Sequence, residues 1–247
     1  MTATDVPVLA VVVATRGGTR LESALASVAW ARERAVLDPL GATTQAQLPP
    51  GVRVGHDAAA LPELGSAAWI LLTGEHEVAS EALAIACATA VRGAPSARRV
   101  PVEVETLGIR FAPRVHPVRL APREGSRLGL DRTLELELRS PSAHGPRIEA
   151  VLRATGGESV AAAIDSLAPE GRALAALLGR LGQRPGALAL GADPLAALVR
   201  MLRARASGSA GLARWVAAVF ASYRVTLAHV MLWEWRRAQP APVRVVG

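Results

Sequence analysis

The chain has 247 residues and a formal net charge of +7, and every Lys/Arg position is arginine. That length allows one full core, or one domain with an appendage, and the lone cysteine, Cys87, excludes an intrachain disulfide. The positive excess favours phosphate-bearing partners such as a nucleotide diphosphate, anionic lipid or nucleic acid. Aromatic residues make up only 3% and do not interleave with arginine, which argues against a base-stacking platform, so no nucleic-acid partner is expected.

In chain order, residues 1–7 carry no basic residue and the apolar run 8–14 is too short to span a membrane, so a cytoplasmic start is expected. Residues 8–14 read as a buried parallel strand closed by Gly17-Gly18. Apolar residues at near-helical spacing follow over 21–32. Short strands are predicted at 35–37 and 52–54, an interrupted helix at 58–64, a buried strand at 67–72 and a helix at 81–92. From 99 to 139 the pattern alternates at period two, giving half-exposed strands near 100–105, 115–120 and 134–138. Beyond 148 the chain is alanine-rich, with helices predicted at 159–167, 170–181, 194–206 and 211–237. The order implies an α/β fold, a mostly parallel, Rossmann-like sheet flanked by helices, over 1–150. A helical C-terminal extension follows over 151–247.

Several stretches form an ordered set: residues 11–18; Ser27-Val28-Ala29-Trp30-Ala31; Ala35-Val36-Leu37-Asp38-Pro39; Ala67-Ala68-Trp69-Ile70-Leu71-Leu72-Thr73-Gly74-Glu75-His76-Glu77; Arg119-Leu120-Ala121-Pro122-Arg123-Glu124-Gly125; and Leu232-Trp233-Glu234. Together they resemble the family 2 glycosyltransferases, in the branch that includes lipopolysaccharide-core glucosyltransferases. The resemblance implies a GT-A fold, a nucleotide-sugar donor, a glycan or lipid-linked cell-envelope acceptor and inversion at the anomeric carbon. It places Asp38 on the nucleoside and Gly74-Glu75-His76-Glu77 where the family's Asp-x-Asp-Glu binds a divalent cation. The chain departs from the family at Gly17-Gly18, at Pro39-Leu40-Gly41, at Ala58-Ala59, and at Gly74 and His76, which stand where the metal motif has aspartates.

The candidate residues follow from chemistry as well as from resemblance. Asp38 ends a strand, where open α/β sheets bind ligands, and is alternatively an ordinary turn aspartate. Thr15 and Arg16 open a glycine-rich turn whose free amides suit phosphate. Glu75, His76 and Glu77 offer hard oxygens and an imidazole for Mg²⁺ or Mn²⁺, or form a solvated acidic loop. Glu135 and Glu137 share one strand face and are candidate general bases, with an exposed glutamate edge as the plainer alternative. Arg110, Arg114, Arg119 and Arg123 are candidate phosphate contacts that would stand in for the cation's charge.

The segment 211–237 is long and apolar but interrupted by Arg224 and His229. It reads either as an interfacial helix, with Arg203, Arg205, Arg214, Arg236 and Arg237 toward anionic lipid, or as a helix packed on the core. Two functions are expected from these features: a glycosyltransferase at the cytoplasmic membrane face, or a glycosyltransferase-like scaffold that has lost its chemistry. A basic membrane- or nucleic-acid-binding domain is the third reading.

Overall fold

The computed structural model describes residues 6–43, 48–59, 61–112, 116–184, 186–207 and 211–238. Its centre is a six-stranded sheet. The continuous apolar run β1 (Val6–Val13) lies between β2 (Ala31–Leu37) and β4 (Trp69–Gly74), and β3 (Val52–Gly55) extends it beyond β2. These four strands are parallel, with Val13 level with Leu37 on one side and Gly74 on the other. The remaining two strands, β9 (Val118–Pro122) and β6 (Arg98–Arg99), join antiparallel beside β4.

A second sheet of five strands carries β5 (Glu77–Ala79), β7 (Val102–Thr106), β8 (Ile109–Ala112), β12 (Leu152–Thr155) and β13 (Arg205–Ala206). A hairpin of β10 (Arg127–Leu130) and β11 (Leu136–Arg139) forms its own ladder and buries Leu128, Leu130, Leu136 and Leu138 in the core of the central sheet.

Helices cover both faces of the central sheet, as its two-sided burial demands. On one face Val8, Ala10, Val12 and Leu71 pack with α1 (Thr19–Ser27) and α2 (Glu81–Ala90) through Leu21, Leu25, Leu83 and Cys87. Ser80 caps α2, its hydroxyl accepting from the Leu83 amide. On the other face Leu9, Val11, Ile70 and Leu72 pack with α3 (Val160–Arg180) and α5 (Gly211–Ala238) through Leu174, Leu177, Leu178, Val225, Ala228 and Leu232. The C-terminal helices are therefore the second outer layer of the sandwich, and they share a core with the strands of residues 6–74. β12 and β13 likewise cross residue 150 to complete the second sheet.

Several elements differ from the sequence expectation. The two helices predicted over 159–181 are one helix, α3, running through Pro169. Proline removes the N–H that would bond the carbonyl four residues back, and that carbonyl, on Asp165, instead accepts from Arg16 Nη2 at 3.4 Å. Helix α4 (Ala187–Arg203) begins about two turns before the predicted start at Pro194 and carries that proline inside. The expected helix at 58–64 contracts to a 3-10 turn, Leu61–Leu64. The strand expected at 134–138 begins at Leu136, because Leu134 adopts a left-handed φ of 58° that ends the period-two alternation. The strand expected at 115–120 appears at Val118–Pro122; Arg114 and Val115 lie outside the described residues.

Candidate functional site

The C-terminal tips of β1, β2 and β4 lie along one edge of the sheet, with β1 between the other two. Asp38 and Glu75 thus flank the tip of β1 from either side. Their side chains, however, are committed elsewhere.

Asp38 is buried and turned into its own loop: Oδ1 accepts from the amides of Leu40 at 2.9 Å and Gly41 at 3.0 Å, and Oδ2 from the amide of Thr43. Its carbonyl meets His56 Nδ1 at 3.1 Å. The turn-aspartate alternative therefore describes its geometry.

Glu75 is 2% exposed and organises the glycine-rich turn. Its Oε2 accepts the amides of Thr15 at 2.7 Å, Arg16 at 2.9 Å and Gly17 at 2.9 Å, and its Oε1 accepts the Thr15 hydroxyl. Gly17 and Gly18, at φ 73° and 72°, supply the left-handed backbone that aims those amides inward. The amides expected to cradle phosphate thus cradle a carboxylate of the chain itself. Thr15 and Arg16 serve the turn, and the Arg16 side chain closes the α3 carbonyl described above.

Glu77 is also buried at 2% exposure. One oxygen accepts the Gly74 amide at 2.8 Å and the other Arg119 Nη2 at 2.9 Å. Of the triad expected to hold a cation, only the imidazole of His76 is left without such a commitment. An aspartate at 74 would also crowd that ring, since a Cβ there would lie 3.0 Å from His76 Cε1. Among the described residues no group of three or more His, Cys, Asp or Glu is arranged to hold a metal ion, so the donor set does not fit a protein-built Mg²⁺ or Mn²⁺ cage.

Charged groups do converge, but from other elements. A small cleft, with about 40 Å³ of interior space below its open mouth, lies at this edge between the strand tips and helices α3 and α5. Thr15, Pro39, Gly74, His76 and Glu77 line its sheet side, with Arg119 from β9. Glu135 reaches it from the β10–β11 turn, Glu170 from α3 and Arg224 from α5, against apolar walls of Leu134, Leu136, Leu174 and Leu177.

Arg119 is wholly buried, and beyond its bond to Glu77 its Nε and Nη1 have no hydrogen-bond partner. Arg224 donates through Nη2 to Glu135 at 3.3 Å and stands 4.0 Å from Glu170, while its Nε is unpartnered. Desolvation raises the pKa of the Glu135 carboxyl, but the cations Arg224, Arg200 and Arg119, aided by His76, outweigh it and hold the group down to about 2. Desolvation also opposes the charge on Arg224, and Glu135 and Glu170 more than restore it, leaving its pKa raised. The same Glu135–Arg224 pair lines a second small hollow, of about 40 Å³, with Arg200, Thr133 and Met201, so it stands between two hollows.

Of the two candidate bases, Glu135 thus faces the cleft and Glu137 does not: Glu137 pairs with Arg139 at 3.1 Å on the outer side of the hairpin. The left-handed φ at Leu134 leaves Glu135 in the turn before β11 and Glu137 inside the strand, so the two do not share a strand face. Arg123 clamps the carbonyls of Pro62 and Gly65, and Arg110 pairs with Glu105, so neither reaches the cleft. Sequence reasoning did not select Glu170 or Arg224 for the site. Their signal was available, as charged residues interrupting apolar helical faces, which stay buried only when paired.

No model of a known protein family matches the chain, and no curated protein matches it. Among solved structures, the chain is similar to residues 1–349 of TarS from S. aureus, at 12% identity over 95% of this chain and 93% of that one, with a TM-score of 0.38. At that score a shared fold is not established, and the α/β architecture stands on the strand order and helix layers themselves.

Proposed function

We propose that this chain is a glycosyltransferase that takes a nucleotide-sugar donor at the β1–β4 edge and passes the sugar, with inversion, to a cell-envelope or lipid-linked glycan. The carrying observation is Arg119: a wholly buried guanidinium with two unpartnered N–H groups, lining a cleft where open α/β sheets bind ligands. Buried donors without acceptors are costly, and oxygens of a diphosphate or sugar would supply them. The motif resemblance over the strand tips supports the choice of donor.

In this reading Glu135 takes the proton of the acceptor hydroxyl as that oxygen bonds to the anomeric carbon and the diphosphate leaves with the electron pair of the broken bond. At a pKa of about 2 the carboxylate is ionised, as a base must be, but it is a weak base while Arg224 grips it. Substrate entry that draws Arg224 away would raise its basicity. Arg119, with Arg224, would meet the charge of the leaving group in the role the family gives to a cation. The donor would be met at the cytoplasmic face, where nucleotide-sugars and the basic surface both belong.

The non-catalytic reading also has an observation in its favour: Glu75 and Glu77, which match the metal motif, are consumed by internal bonds. Calorimetric titration with nucleoside diphosphates, with Mn²⁺ and with chelator, separates the outcomes. The catalytic reading expects binding, and donor turnover that disappears in Glu135→Gln while binding remains. Binding without turnover in the wild type would leave the scaffold. No heat with any nucleoside diphosphate under either condition would remove the donor site altogether.

A further inference from the structure

Helix α5 has two apolar faces. One is consumed by the core through Ala217, Ala218, Val225, Ala228 and Leu232. The opposite side carries Leu212, Trp215, Val219, Tyr223, Val230 and Trp233, each between 44% and 81% exposed. At 3.6 residues per turn these six positions fall on one stripe about 30 Å long. The core lies on the opposite side of the helix, and monomers rarely leave such stripes bare. By length and composition the helix could cross a membrane, but a third of its apolar window is buried against the protein. Its inner face cannot meet lipid without dismantling the α3–α5 side of the core.

The residues around the stripe indicate its partner. Its aromatic members, Trp215, Tyr223 and Trp233, are the side chains that settle at the level of lipid headgroups. Arg237 lies on the same side and stacks over Trp233 at 4.7 Å. The exposed arginines of α4, α5 and the link between them are Arg203, Arg205 and Arg237, with Glu234 the exposed acid of α5, whereas Arg200 and Arg224 turn inward to Asp131 and Glu135. The neighbouring α4 also leaves Leu188 and Leu195 exposed.

We infer that the outward stripe of α5 docks the folded protein, with the helix lying flat, on an anionic lipid surface. Attraction to the headgroups supplies part of the binding and burial of the stripe the rest. The stripe faces away from the cleft residue Arg224, so docking leaves the site on the protein's other flank and does not depend on sugar transfer.

The test is flotation of the full chain with vesicles of phosphatidylcholine alone and with about 30 mol% phosphatidylglycerol. The wild type should float with the anionic vesicles and far less with the neutral ones. Trp215→Ser/Tyr223→Ser/Trp233→Ser, and separately Val219→Glu, should each weaken anionic binding about tenfold or more with an unchanged circular dichroism spectrum. No flotation of the wild type, equal flotation on neutral vesicles, or undiminished binding by both variants would overturn the inference. So would a wild-type dimer in light scattering that does not float and that these substitutions dissociate, because a second copy would then cover the stripe.

Discussion

Arg119 and Glu77 meet at 2.9 Å with side chains 1% and 2% exposed, joining β9 to the start of β5 beneath the cleft. A pair so deeply placed contributes little over apolar residues of the same volume, yet breaking it strands a charge. Glu77→Ala should lower stability by about 3–5 kcal/mol. Glu77→Gln/Arg119→Met together should cost less than Glu77→Ala alone. Urea unfolding curves measure both, and a loss under about 1 kcal/mol for Glu77→Ala would contradict the pairing.

Glu75 presents a second stability test. Its carboxylate satisfies three successive amides and one hydroxyl, none of which has another acceptor at that turn. Glu75→Ala should therefore cost about 2–4 kcal/mol in the absence of any metal or nucleotide. Thr15→Val, which removes only the hydroxyl, should cost about 1 kcal/mol. If Glu75→Ala left the melting temperature unchanged and altered only Mn²⁺ binding, its role would be that of a ligand, and the turn would need no anchor.

The Glu135 carboxyl gives a pH signature. Its folded-state value of about 2 lies below the ordinary 4.5, so the ionised group stabilises the fold fully above pH 4.5, and this contribution is lost as pH falls through about 2. Glu135→Gln should therefore be less stable than wild type near neutral pH, with the difference shrinking through that acid window. Arg224→Met removes the strongest of the cations holding the carboxyl down, so the Glu135 pKa should rise. Urea titrations across pH, or carboxyl chemical shifts by NMR, follow both effects. A constant gap between Glu135→Gln and wild type down to pH 2 would refute the assignment.

Cys87 lies in α2 against the sheet, with no exposed surface, and burial pushes its thiol up to about 12. Near pH 8 the native thiol should alkylate at least about a hundredfold more slowly than in urea, because both thiolate and access are missing. Fast labelling of native protein would show α2 opening locally.

The sequence by itself determined most of the elements, though not that the C-terminal helices form the second layer over the sheet. Val8, Val11 and Val12 in β1, Ile70 and Leu71 in β4, and the alanine-rich helical runs carry their periodicity in adjacent residues, so strand, helix and the direction of the strand tips were legible. It also marked Asp38, Glu75 and Glu77 as strand-tip acids. Only the tertiary structure decided where those acids turn. Asp38 and Glu75 found backbone amides, Glu77 found Arg119 across 42 residues of chain, and Glu135 found Arg224 across 89. A buried charge takes whichever partner the packed layers bring within about 3 Å. The layers that deliver Arg224 form only when α5 closes over the sheet, so no local pattern around Glu135 could announce it.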